Sequence, residues 1–398
     1  MLKAFGKLWL KGAKRVAAAQ RAQQKKILKS LLPAPPKPRA KAVKRPLAVT
    51  ARPVTAATGA APLRVLRKAA APRKATAPRK VPAAVQATIS THPGAGGSWT
   101  RAFHVAPDTA GARRLTYWLY VPATAADAAP MPLVIMLHGC GQDAVEFASG
   151  TGMNRLAARH GFAVLYPQQS LSAHPQRCWP WYRRALQHGA EEVALIAGLT
   201  ETLLVRHAFE RRRVYVAGLS AGAALAQTLA VCHPHLIAAV GSHSGPAFGL
   251  AHSRTSAFTV MQHASAVPMQ PVTALLAETP DFPVMPIMII QGAQDPVVRP
   301  VNGAVLARQF CGLNHLGSDS APVILDKAAR GKRDGFRTTD YRRGSKTLVR
   351  MCEVTHLGHA WSGGDPALRY NAAKGPEASV LLWDFFKRHR RLKTSRPR

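Results

Sequence analysis

Acidic residues are missing from the first quarter of this 398-residue chain. Residues 1–107 contain 23 Lys and Arg and no Asp or Glu, while the whole chain has 55 basic and 19 acidic residues. Most of the formal net charge of +36 therefore lies ahead of residue 108. The rest of the chain has the charge balance of an ordinary, somewhat basic globular domain, and α/β domains often use about 250 residues as one unit.

Cysteine is also scarce. The five cysteines form no C-x-x-C spacing, which counts against a zinc site. Because five is an odd number, at least one thiol stays outside any intrachain disulfide. Cys140–Cys178 and Cys311–Cys352 are the candidate pairs if the protein meets an oxidising compartment, and five buried free thiols are the alternative. The fifth cysteine is Cys232.

Long apolar runs are absent as well. No run is long enough to span a membrane, and lysines interrupt the apolar residues near the start, so the apolar core of a secretory signal is missing. Residues 1–32 instead place apolar side chains near one face at helical spacing. This pattern predicts a basic amphipathic helix of a type that lies on an anionic or apolar surface. A solvated, half-formed helix in a basic tail is the alternative.

Residues 33–94 have few aromatic residues and no periodic apolar face. They are rich in Ala, Pro, Lys and Arg, and the sequence Ala-Pro-Arg-Lys occurs at 71–74 and again at 77–80. Proline at this density prevents regular structure, and like charges repel one another. We therefore predict a disordered linker, followed by a globular domain over 95–390 and a basic tail over 391–398.

Apolar runs alternate with helical stretches from about residue 98 onward. Strands that are apolar almost throughout fit a parallel sheet covered on both faces. The alternation predicts an open, mostly parallel, doubly wound α/β sheet, with a less regular cap or excursions at 245–280 and 311–346. The predicted strands are 115–122, 132–138, 162–168, 213–219, 237–243, 285–291 and 347–354, and the predicted helices are 145–160, 190–207, 221–233, 301–310 and 370–388.

The most informative motif is Gly218-Leu219-Ser220-Ala221-Gly222, which joins the predicted strand 213–219 to the predicted helix 221–233. Strand, tight turn and helix together are the context of a nucleophile elbow, which presents its serine at the end of a sheet. A serine hydroxyl needs a base, and the base needs an orienting carboxylate. The motif therefore predicts a serine hydrolase with Ser220 as its nucleophile.

The acid and the base are expected later in the chain, in that order. Asp295 lies in the loop after the predicted strand 285–291, and capping the following helix is its alternative role. His359 lies in a glycine-flanked loop after the last predicted strand, where His356 is a competitor. Asp365 is a second candidate acid, but it follows the histidine and fits the chain order worse.

A serine hydrolase also needs donors for the oxyanion of its tetrahedral intermediate. The backbone N–H of Ala221, directly after the nucleophile, is one candidate. The loop after the strand 132–138 supplies the second, which we assign to the N–H of Cys140, with Gly141 as a near alternative. His138 is expected to pack and hydrogen-bond beneath the site.

Several motifs in fixed order carry a resemblance to a known family. The chain resembles the polyhydroxybutyrate depolymerase family of esterases, a branch of the α/β hydrolases that is also similar to feruloyl and acetyl-xylan esterases. The resemblance covers roughly residues 95–390. It rests on His138-Gly139-Cys140, Gly150-Thr151-Gly152-Met153-Asn154, Cys178-Trp179-Pro180-Trp181-Tyr182, Glu192-Val193-Ala194-Leu195-Ile196-Ala197-Gly198, the serine motif, His243-Ser244-Gly245 and Gly358-His359-Ala360-Trp361.

The resemblance implies an α/β-hydrolase fold, a triad of Ser220, Asp295 and His359, and hydrolysis of carboxylic esters without a cofactor or metal. The implied substrates are poly- or oligo-hydroxyalkanoates, with feruloyl or acetyl esters of plant polysaccharide as the alternative. With a polyester substrate, the amphipathic helix of residues 1–32 is expected to dock on a polyester granule or an anionic surface. Ser362 departs from the family pattern, which has proline there. The resemblance also suggests four aromatic residues that line or support the substrate cleft, and a packed aromatic cluster is the alternative; they are Trp179, Trp181, Tyr182 and Trp361.

Two further questions stay open from the sequence. The family includes many secreted enzymes, which favours an extracellular location, whereas the missing signal core favours a cytoplasmic, granule-associated one. The basic N-terminal region can bind nucleic acid phosphates by charge alone. It lacks the interleaved aromatic residues of base-binding modules, so nucleic acid is not expected as the primary partner.

Overall fold

The computed structural model describes residues 88–90, 96–105, 113–123, 130–317 and 321–391. The predicted amphipathic helix of 1–32 and almost all of the basic tail over 391–398 lie outside the described residues, and these two assignments stay predictions. The predicted linker of 33–94 also lies outside them, with one exception. Thr88–Ser90 forms a strand that pairs with Ser98–Val105, so the sheet begins upstream of the boundary predicted at residue 95.

The described residues alternate strands and helices along most of their length. The strands are β1 (Thr88–Ser90), β2 (Ser98–Val105), β3 (Arg114–Val121), β4 (Met131–Leu137), β5 (Ala163–Gln168), β6 (Phe209–Leu219), β7 (Ala239–His243), β8 (Ile287–Gly292), β9 (Val323–Lys327), β10 (Phe336–Arg343), β11 (Lys346–Val354), β12 (Trp361–Ser362) and β13 (Asn371–Ala372). The helices are α1 (Ala144–Thr151), α2 (Met153–His160), α3 (Arg184–Gln187), α4 (Glu192–Arg206), α5 (Ala221–Cys232), α6 (Arg254–His263), α7 (Gln270–Glu278), α8 (Val301–Leu313) and α9 (Ala378–Phe386).

Eleven strands form one sheet in the order β1-β2-β3-β5-β4-β6-β7-β8-β11-β10-β9. The centre is parallel, from β5 through β4, β6, β7 and β8 to β11. The outer strands on both sides are antiparallel. The carboxyl ends of β6, β7, β8 and β11 therefore meet at one edge of the sheet.

The central strands are buried on both faces, which is why they are apolar almost throughout. In β4, Leu133, Ile135 and Leu137 pack in one core cluster, while Val134 and Met136 pack in a second cluster. The first cluster contains residues of α4 and α5, and the second contains residues of α2 and α9. Helices thus cover both faces, and the prediction of a mostly parallel, doubly wound sheet is confirmed.

The less regular stretches resolve into defined elements. The predicted helix 145–160 is two helices, because Gly152 adopts φ 63° between them. Within the stretch predicted as a less regular cap or excursion, residues 254–263 form α6 and residues 270–278 form α7. Residues 323–343 form β9 and β10, which extend the sheet beyond β11. Because β9 and β10 carry many polar residues, their sequence did not predict buried strands.

One of the two predicted disulfides is present. Cys140 and Cys178 are bonded, with their Cα atoms 4.3 Å apart, and Cys232, Cys311 and Cys352 are free. The predicted Cys311–Cys352 pair is wrong. Cys352 belongs to one core cluster and Cys311 packs against the other, so the two thiols lie on opposite faces of the sheet.

Reduction of the Cys140–Cys178 bond is expected to destabilise the fold. The bond joins residues 38 positions apart, and a loop of that length corresponds to about 4 kcal/mol of unfolding free energy in the chain-entropy model. Urea unfolding with and without a thiol reductant measures the difference. The double variant Cys140→Ser, Cys178→Ser is the control and should unfold at the same urea concentration in both conditions. Equal midpoints for the native protein would contradict the prediction.

Candidate active site

The serine motif forms a sharp turn between β6 and α5. Ser220 has φ 56° and ψ −118°, a backbone conformation that non-glycine residues rarely adopt, and it is the residue before the first turn of α5. A Cβ on Gly218 would lie 2.3 Å from the carbonyl carbon of Gly222, and a Cβ on Gly222 would lie 2.1 Å from Leu137 O. Both glycines are therefore required by close backbone approach, as a nucleophile elbow demands.

A carboxylate and an imidazole meet at the same edge of the sheet. His359 Nδ1 lies 2.8 Å from Asp295 Oδ2, and the exposed fractions of the two side chains are 3% and 0%. Asp295 Oδ1 accepts the backbone N–H groups of Val297 at 2.9 Å and Val298 at 3.0 Å. These donors fix the carboxylate, so that Oδ2 is left to hold the imidazole.

The loops that carry the two side chains are joined through their backbones. Ala293 N–H donates to Val354 O at 2.9 Å, and Gln294 N–H donates to Leu357 O at 3.1 Å. A Cβ on Gly292, at the end of β8, would lie 2.2 Å from Leu357 O. The end of β8 and the loop after β11 are therefore joined directly, and these contacts help to set the distance between carboxylate and imidazole.

The loop after β4 lies beside the elbow. A Cβ on Gly222 would meet the carbonyl oxygens of Leu137 and His138, and a Cβ on Gly139 would lie 3.4 Å from Leu219 O. Gly139 N–H donates to Gln142 Oε1 at 3.0 Å, and Gly141 N–H donates to Gln176 O at 2.7 Å. Within the described part of the chain, the N–H groups of Cys140 and Ala221 have no backbone acceptor. They are therefore available to a bound group.

His138 is a buried, neutral support of this loop, as predicted. Its Nε2 accepts the N–H of Gln169 at 3.2 Å, so Nδ1 carries the proton and donates to Gly139 O at 2.9 Å. Burial lowers the pKa of His138 to about 4. The indole N–H of Trp179 donates to His138 O at 3.0 Å, which holds the loop from a second side.

His243 is a central residue that the sequence analysis did not assign. It ends β7, between the strands that carry the serine and the acid, and its side chain is fully buried. Its carbonyl oxygen accepts Ser220 N–H at 2.9 Å, and its Nε2 accepts Ser362 N–H at 3.0 Å. Its ring stacks on Trp361 with centroids 4.9 Å apart. His243 thus joins the elbow to the loop of His359.

The ring of His243 is neutral. Burial, and next the nearby His359, lower the pKa of His243 to about 3. Because Nε2 accepts a hydrogen bond, the proton lies on Nδ1, which faces Ser244 Oγ at 3.2 Å. Its position at the end of a predicted central strand, between the strands of Ser220 and Asp295, was the signal that could have identified it.

The four predicted aromatic residues are packed inside the fold. Trp179 and Trp361 are each 1% exposed, Trp181 is 5% exposed and Tyr182 is 9% exposed. The rings of Trp179 and Trp361 pack on His138 and His243, which fits a supporting role or the packed cluster given as the alternative. The role of the four residues toward substrate stays a prediction.

The competing base and acid are both exposed and have other partners. His356 is exposed, and its Nδ1 faces Gln294 Nε2 at 3.3 Å. Asp365 is exposed and accepts Ala367 N–H at 3.0 Å. Among the described residues, no three His, Cys, Asp or Glu side chains are grouped as metal ligands would be. In the same residues, no helix has the length and apolar character needed to cross a bilayer.

The parallel sheet, the serine elbow after β6 and the acid and histidine loops after β8 and β11 define an α/β hydrolase. A solved acetyl xylan esterase from Aspergillus awamori has the same fold, with a TM-score of 0.57 and 18% identity over 72% of this chain and 99% of that chain. The chain belongs to the Esterase PHB depolymerase family, whose model matches residues 115–325, more than half of its length.

Two relatives of this chain are named for different esters. Poly(3-hydroxyalkanoate) depolymerase C of Paucimonas lemoignei is 32% identical over 257 residues, which are 63% of this chain and 59% of the relative. Feruloyl esterase B of Thermothelomyces thermophilus is 34% identical over 142 residues, which are 35% of this chain and 47% of the relative. The chain thus spans about half to three fifths of the length of these two relatives.

Proposed function

We propose that this protein hydrolyses carboxylic esters with Ser220 as nucleophile, His359 as general base and Asp295 as the orienting carboxylate. The observation that carries the proposal is the 2.8 Å contact between His359 Nδ1 and Asp295 Oδ2. It lies at the edge of the sheet where the elbow presents Ser220. Because Nδ1–H donates to the carboxylate, Nε2 is free to accept the serine proton.

The reaction proceeds through an acyl-enzyme. His359 takes the proton of Ser220 as Oγ attacks the ester carbonyl, and Asp295 stabilises the imidazolium that forms. The imidazolium then protonates the leaving alkoxide. In the second half, His359 activates a water molecule that releases the acid and restores Ser220.

The N–H groups of Ala221 and Cys140 hold the oxyanion in this mechanism. Support comes from their position, since the loop after β4 packs against the elbow and both N–H groups lack a backbone acceptor in the described part of the chain. The Cys140–Cys178 bond ties this loop to the segment of Trp179, whose indole holds His138 O. The donors are thus preorganised by covalent and hydrogen-bonded contacts.

The substrate that the family favours is a poly- or oligo-hydroxyalkanoate. Of the two relatives described above, the one that matches this chain over more residues is named a poly(3-hydroxyalkanoate) depolymerase. Feruloyl or acetyl esters are the second candidate, because the feruloyl esterase is 34% identical over its shorter match. The same proposed triad would hydrolyse either class of substrate, because the two classes differ only in the groups that flank the scissile ester.

A substrate panel tests the proposal. We expect the purified protein to hydrolyse p-nitrophenyl butyrate and hydroxybutyrate oligomers with a higher kcat/KM than methyl ferulate or acetylated xylan. An alkyl phosphonate probe should label Ser220, which peptide mass mapping identifies. Faster hydrolysis of methyl ferulate would favour the second candidate, and absence of both ester hydrolysis and labelling would refute the proposed function.

Replacement of His243 is expected to slow the reaction without removing its chemistry. His243→Leu removes the acceptor of Ser362 N–H and the ring that stacks on Trp361. The loop of His359 therefore loses contacts that position it beside the elbow. Misplacement on this scale costs about 10- to 100-fold in kcat. His243→Gln retains an acceptor and should lose less.

Steady-state kinetics and melting temperature, measured on the same preparations, separate misplacement from unfolding. His235→Leu replaces an exposed loop histidine and is the control. An unchanged kcat in a folded His243→Leu variant would show that His243 does not position the site.

A further inference from the structure

Tyr370 has an unusual backbone for an aromatic residue. Its φ is 58°, in the left-handed region that residues other than glycine, asparagine and aspartate rarely adopt. Such conformations persist only where surrounding contacts impose them, and they are concentrated at functional sites. The contacts of Tyr370 are therefore informative.

The backbone around Tyr370 is fixed from both sides. Its carbonyl oxygen accepts Trp361 N–H at 2.7 Å. The neighbouring Arg369 holds Glu146 with two hydrogen bonds of 2.9 Å each, and its carbonyl oxygen accepts Gln142 Nε2 at 3.3 Å. Gln142 is the same residue that holds Gly139 N–H. The segment of Tyr370 is thus coupled both to the loop of His359 and to the loop after β4, which carries Cys140.

The phenol lies between these two loops. A Cβ on Gly141 would lie 3.4 Å from the phenol oxygen of Tyr370, so the ring end covers the residue next to Cys140. Tyr370 also lines a cavity of about 200 Å³ together with His359, Ala360 and Ala372, and with the polar residues Asp334, His356 and Lys374. In the part of the chain that the structure describes, the phenol oxygen takes part in no hydrogen bond.

We propose that the phenol of Tyr370 donates a hydrogen bond to the carbonyl oxygen of the ester unit adjacent to the scissile one. The inference rests on the proposed function and deepens it, since it assigns a subsite for chains of linked esters. A polyester offers only oxygen acceptors, and a half-buried phenol without a partner is a donor that matches them. The cavity is smaller than typical pockets of 300–1,000 Å³, so it accepts one short unit rather than a sugar chain.

The test compares two substrates in one variant. Tyr370→Phe removes only the hydroxyl and retains the ring over Gly141. A 3-hydroxybutyrate trimer has the second carbonyl, and p-nitrophenyl butyrate does not. We expect kcat/KM to fall about tenfold for the trimer and to change less than twofold for p-nitrophenyl butyrate. Tyr341→Phe, on β10, is the matched control and should change neither value.

Two results would overturn the inference. Equal losses on both substrates would mean that the hydroxyl acts on the loop after β4 and not on a second ester unit. Unchanged kcat/KM on both substrates, with an unchanged melting temperature, would mean that it contacts no substrate. Failure of the proposed function is distinguishable, because the native protein would then hydrolyse neither substrate.

Discussion

Ser220→Ala is expected to lower kcat for p-nitrophenyl butyrate by about a millionfold. The variant removes the only group that forms the covalent bond in the proposed mechanism, and serine hydrolases that lose this group fall by about that factor. A small residual rate over water should persist, because the N–H groups of Ala221 and Cys140 remain in place. Steady-state hydrolysis by the native protein gives the reference kcat, and single-turnover hydrolysis with the variant in excess over substrate measures the residual rate.

The backbone conformation of residue 220 provides an internal check. Alanine at φ 56° retains the strain of the elbow, so the melting temperature should be close to that of the native protein. Ser172→Ala, at an exposed loop position, is the control and should retain full activity. Retention of more than about one hundredth of the native kcat by Ser220→Ala would exclude Ser220 as the nucleophile.

Much of the fold could be predicted because the central strands are apolar on both faces. All seven strands predicted from the sequence are present within two residues at most boundaries, and the long β6 starts earlier, at Phe209. The exception is instructive. Residues 209–213 contain Glu210 and three arginines. Because these residues are charged, apolar patterning does not predict the start of the strand.

The outer strands were missed for a related reason. β2, β9 and β10 pair antiparallel at the margins of the sheet, where at least one face is open and polar residues are tolerated. Every residue of β9 is exposed. Such strands are defined by pairing with a neighbour, and this pairing is a tertiary property that apolar patterning does not report.

The chain positions of the proposed triad could be predicted because each residue follows a strand that the pattern makes obvious. The supporting contacts could not. His243 acts through its carbonyl oxygen and through an acceptor nitrogen for Ser362 N–H, and proline at position 362, the residue that the family pattern has there, would lack this donor. The left-handed backbone of Tyr370 could not be predicted either, because the residue at that position is not a glycine.

Asp295→Asn is expected to lower kcat by about 10⁴-fold, through the tautomer of His359. The amide oxygen of the asparagine would stay on the N–H groups of Val297 and Val298, which hold Oδ1 of the native carboxylate. The amide NH₂ would then face His359 Nδ1. Because two donors cannot share one hydrogen bond, the imidazole must place its proton on Nε2 and leave Nδ1 as the acceptor.

With its proton on Nε2, His359 cannot accept the proton of Ser220, although its ring has not moved. KM should therefore change little while kcat falls, and the loss should diminish at high pH, where hydroxide generates the serine alkoxide without a base. Asp365→Asn, the other acid that the sequence offered, is exposed and should retain native kinetics. A full loss in Asp365→Asn combined with an active Asp295→Asn would transfer the orienting role to the loop after β12, and the order serine, acid, histidine would no longer hold in this chain.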